Sequence, residues 1–100
     1  MKDLPADLIE RLVSEFGYST VAAGTVANRL RSAAPHIAAA FAQWWSTGQL
    51  ERIQVEGVST DELMAKHGLS PIAALLTLDW LRRDPDRAKS ALARGHDFVR

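Results

Sequence analysis

Residues 59–85, STDELMAKHGLSPIAALLTLDWLRRDP, carry the densest set of helix-boundary signals in the chain. Ser59 followed by Glu62 is a capping box, in which the hydroxyl accepts from a free N–H and the carboxylate reaches back to another. Gly68 ends that helix, because glycine tolerates the left-handed conformation in which helices commonly terminate. Ser70 caps the next one, with Pro71 at its first position, where a missing N–H removes nothing the helix would have used. Asp84 and Pro85 repeat the arrangement. This stretch therefore predicts successive short helices joined by tight turns.

Toward the N-terminus the apolar spacing remains helical. Leu8, Ile9, Leu12, Val13 and Phe16 fall at i, i+1, i+4, i+5 and i+8, an inward face for a first helix that Gly17 closes. Ser19 caps a second helix through TVAAGTVANRLR, with Ala23, Val26, Ala27 and Leu30 inward. Gly24 costs it about 1 kcal/mol relative to alanine, so a break at that position is the alternative. A third helix, capped by Ser32 with Pro35 in its first turn, carries Ile37, Phe41, Trp44 and Trp45. Leu50, Ile53 and Val55 fit one short extended segment at 50–55, with no second strand in view to pair with it unless a dimer partner completes it. The expected fold class is all-α, a compact bundle of five or six short helices forming a single domain over residues 1–100.

Residues 59–83 resemble a helix-turn-helix motif. Leu63 stands five residues before Gly68, Leu69 follows the turn, and Ser70-Pro71 opens the second helix. The resemblance implies a nucleic-acid-binding scaffold, and it covers about a quarter of the chain. Met64 departs from the pattern where a small residue is usual, and His67 where an apolar one is. The second helix departs further. A recognition helix presents polar side chains to base edges in the major groove. Between Pro71 and Leu81 the only polar side chains are Thr77 and Asp79. A helix apolar all round belongs in a core, so the segment reads as a degenerate copy that keeps the geometry without the reading surface.

Composition limits the remaining function classes. Twelve basic residues balance twelve acidic ones, so no whole-molecule charge attracts nucleic acid. The distribution is uneven: residues 1–15 carry a net −2, 16–50 a net +2, 51–81 a net −3 and 82–100 a net +3. Cysteine is absent, which removes disulfides, thiol catalysis and cysteine zinc sites and suits a reducing compartment. The charged N-terminal stretch contains neither a signal peptide nor a membrane span, so a cytoplasmic location is expected.

No catalytic motif is present: there is no G-x-S-x-G elbow and no glycine cluster that would cradle phosphate. His36, His67 and His96 are spaced far apart without a local partner, as exposed or capping residues rather than metal ligands. Neither cofactor nor metal is expected. Trp44 and Trp45 point about 100° apart on a helix, which leaves one of them partly outside a narrow core stripe and makes Trp45 a candidate interface anchor. The expectation is a small non-enzymatic binding module, a protein-interaction domain or regulatory adaptor, contacting a protein or a second copy of itself through Gln43, Trp45 and Gln49. The alternative is a nucleic-acid-binding regulator touching phosphates through Arg82, Arg83, Arg87, Lys89 and Arg94 of the basic C-terminal helix.

Overall fold

The computed structural model describes residues 4–95. Six helices follow in order: α1 (Leu8–Ser14), α2 (Thr20–Arg31), α3 (Pro35–Thr47), α4 (Thr60–His67), α5 (Pro71–Arg83) and α6 (Pro85–Ala93). A hairpin of β1 (Gln54–Val55) and β2 (Val58–Ser59) precedes α4. The all-α bundle is the observed architecture, with the small hairpin as its one addition. His96 lies outside the described residues.

The caps form as the side chains dictate. Ser19, Ser59 and Ser70 accept from the backbone N–H groups of Ala22, Glu62 and Ala73 at 3.1–3.2 Å, and Asp84 accepts from Arg87 N–H at 3.4 Å. Helix α2 runs unbroken through Gly24. Helix α1 stops at Ser14, earlier than Gly17, which instead turns the chain with φ +73° so that Tyr18 N–H reaches the Leu12 carbonyl at 2.9 Å. The extended segment does have a partner within the chain. Val55 pairs with Val58 across a turn in which Glu56 (φ 52°) and Gly57 (φ 78°) are both left-handed, the backbone signature of a tight primed turn. Thr60, fully buried, clasps the hairpin by accepting from Ile53 N–H at 3.2 Å and donating to the Glu51 carbonyl at 3.3 Å.

Helix α5 is the spine. Residues Ile72 through Asp79 are buried without interruption, and the helix packs against α3, α4, α6 and β1. Its two buried polar residues are satisfied inside the core. Thr77 donates to the Ala73 carbonyl at 2.7 Å. Asp79 accepts from Ala34 N–H at 3.0 Å, and this corrects the expected start of α3. Ala34, not Ser32, is the N-cap residue, and it has no side chain able to cap. A carboxylate from α5 satisfies the N–H of that residue instead.

Candidate interaction surface

The proposed anchor, Trp45, is half-buried and held from several sides. Its indole N–H donates to the Asp7 carboxylate at 3.2 Å, and the Arg11 guanidinium stands 4.2 Å from the ring centroid. Its ring stacks on Phe41 at 5.4 Å and on Phe16 at 5.8 Å, while Trp44 closes the cluster edge-on at 6.0 Å. Arg11 is itself fixed by Asp7 at 3.6 Å and Glu15 at 3.0 Å. Gln43 and Gln49 are exposed. Two residues along a helix turn the side chain by about 200°, so Gln43 faces solvent while Trp45 faces α1. The structure does not bring Gln43 and Trp45 onto one face.

The basic residues are mostly occupied. Asp79, with its side chain only 7% exposed, receives Arg82 at 3.0 Å and Arg83 at 2.9 Å. Arg83 also donates to the Ser32 carbonyl. Arg87 pairs with Asp84 at 3.7 Å, Lys89 with Glu56 at 3.8 Å, and Arg94 donates to Ser90 Oγ at 2.9 Å. All five side chains remain solvent-accessible, but each neighbours an acceptor from its own chain.

Of the five apolar residues expected to face inward from the first helix, only Leu8 and Leu12 are buried, while Ile9, Val13 and Phe16 stay partly exposed. Among the described residues five large apolar side chains stay exposed, and four of them are Ile9 (40%), Val13 (40%), Phe16 (39%) and Val21 (80%). Leu8 and Leu12 supply the buried part of α1, so its apolar arc is wider than its core contact. Ile9 also helps to line a trough of about 350 Å³ with Pro5, Ala27 and Arg31, which sets the start of α1 beside the end of α2 and makes the two helices antiparallel neighbours. The signal was the doubled spacing Leu8-Ile9 and Leu12-Val13, more apolar residues than one contact stripe uses.

Tyr18 is the one buried side-chain polar group among the described residues whose hydroxyl has no hydrogen-bond partner. Burial raises its pKa above the usual value of 10.0, with the nearby Ser70 side chain offsetting part of the rise. No group of three or more potential metal ligands occurs among the described residues, and no helix there is long and apolar enough to cross a membrane. No protein-family model matches this chain, and neither a curated protein nor a solved structure does.

Proposed function

We propose that the chain is a non-enzymatic protein-interaction module, acting in a reducing cytoplasm, whose contact surface is the exposed apolar layer of α1 and the start of α2. The observation that carries this reading is that four large apolar residues stay exposed in one short stretch: Ile9 and Val13 on α1, Phe16 in the turn after it and Val21 at the start of the adjacent α2. Single exposed apolar residues need no explanation, whereas several drawn from one helix pair and its connecting turn make a candidate interaction site. Phe16, whose ring meets the half-buried Trp44 and Trp45, gives that surface an aromatic edge, and aromatic residues are enriched where partners bind. Phosphate binding by the C-terminal cations is disfavoured by their intramolecular partners, and base reading by α5 is disfavoured by its burial.

The test is site-specific photo-crosslinking in the cells that make the protein, with the photoreactive residue at Val13 or, as a control, at Lys66. Adducts are expected from position 13 alone, and they should vanish when Val21→Asp is added. Equal adducts from both positions, or none from position 13, would refute the reading.

A further inference from the structure

We infer that the trough between the start of α1 and the end of α2 binds a small monocarboxylate carrying a short apolar chain. Arg31 receives the carboxylate, and Ile9 and Ala27 receive the chain. This is a ligand site beside the proposed protein contact, and it needs no partner protein.

Charge selects the head of the ligand. Among the residues lining the trough Arg31 alone is charged, and the others are apolar. Asp7 falls in sequence between two lining residues, Ala6 and Leu8, but its carboxylate is engaged by the Trp45 indole at 3.2 Å and by Arg11 at 3.6 Å. Arg31 forms no ion pair among the described residues. Its side chain donates from Nη1 to the neutral Asn28 Oδ1 at 2.8 Å. That bond orients the guanidinium and leaves most of its N–H donors open. A carboxylate meets such a fork through two parallel N–H bonds. A phosphate monoester carries about −1.5 to −2, more than one cation offsets, and no second cation lines the trough.

Lining and size select the tail. The trough measures about 350 Å³, at the small end of the roughly 300–1,000 Å³ typical of ligand pockets. Leu8 and Ala27, each 2% exposed, lie at its base, and Ile9, 40% exposed, stands at its side. Covering Ile9 removes apolar surface from water, which a chain of a few carbons achieves and a bare inorganic anion does not. Arg29 also lacks a carboxylate partner among the described residues, but it points about 200° away around α2 and lines no part of the trough. It is the internal control for a cation that sits on the same helix without being placed to bind.

Titration of the isotope-labelled whole chain with 4-methylpentanoate, followed through backbone amide shifts, tests this. Saturable shifts at Ile9, Ala27 and Arg31 are expected, with a dissociation constant on the order of 1–10 mM, the strength that so few ligand atoms give in an open site. The neutral 4-methylpentanamide should bind at least tenfold more weakly. So should the acid to Arg31→Gln, an exposed substitution that keeps the amide spectrum of the folded chain. Arg29→Gln should bind as wild type does. N-acetyl-leucine separates two sources of the same chemistry: an affinity matching that of the free acid assigns the trough to peptide C-termini, and a weaker one assigns it to free acids. Three results overturn the inference: equal binding of the amide, undiminished binding to Arg31→Gln, or no saturable shift by ~50 mM acid, well above the expected constant.

Discussion

Replacing Asp79 by alanine should cost this small domain a large part of its stability. The carboxylate is 7% exposed and collects the Ala34 N–H at 3.0 Å, Arg82 Nη2 at 3.0 Å and Arg83 Nε at 2.9 Å. A hydrogen bond to a charged group contributes about 1.5–3 kcal/mol, and its removal leaves the buried Ala34 N–H unsatisfied. The two arginines are 41% and 44% exposed and can turn toward water, so their lost pairing adds no more than about 1 kcal/mol together. The expected total is about 3 kcal/mol, or a fall in Tm of about 12–24 °C for a domain of this size. Asp79→Asn retains one acceptor for Ala34 but turns an amide toward two guanidiniums, and should lose about half as much. Urea unfolding followed at 222 nm measures both. Because the acceptor is buried, the loss from Asp79→Ala should persist in 1 M salt, where the screening length is about 3 Å. A change within about 0.5 kcal/mol of wild type would refute the role of Asp79 as the link between α5 and the start of α3.

Four further outcomes can be measured. Tyr18→Phe should leave stability unchanged or raise it by up to about 1 kcal/mol, because it removes a buried hydroxyl that lacks a partner; a loss above that, by the same unfolding assay, would show that the hydroxyl is satisfied. The raised Tyr18 pKa makes the unfolded chain release its proton first, so wild-type stability should fall as pH rises above 10, less steeply in Tyr18→Phe, as pH-dependent melting will show. Glu56→Asn should stabilise the hairpin by a few tenths of a kcal/mol, since asparagine tolerates the left-handed conformation better and the exposed Lys89 pair contributes little. Duplex DNA at 50 mM salt should bind no tighter than about 100 µM, the weak edge of non-specific binding; a micromolar constant in fluorescence anisotropy would restore the nucleic-acid alternative.

Features set by neighbours in sequence were legible, and those set by distant residues were not. The serine caps at positions 19, 59 and 70 could be read because a cap needs only its own next three residues. The start of α3 could not, because its N–H partner comes from Asp79, 45 residues away. Trp45 stood out as an aromatic beside another, but Asp7, 38 residues earlier, takes its indole N–H. The second strand escaped notice because Glu56 occupies a turn position that asparagine or glycine would have advertised. The pairing of Arg82 and Arg83 with Asp79 was legible at i+3 and i+4, yet it depended on knowing that this carboxylate is buried. Periodicity found the apolar arc of α1 but not its depth, which only the position of α2 decides.

The core lies on α5 and the proposed contact surface on α1 and α2, and methyl relaxation by a soluble gadolinium chelate tests that division most directly. In dilute protein the methyls of Ile9, Val13 and Val21 should relax strongly, while those of Ile72, Leu75 and Leu78 should barely respond. Strong relaxation along α5, or shielded methyls on α1 and α2 at every concentration, would contradict it.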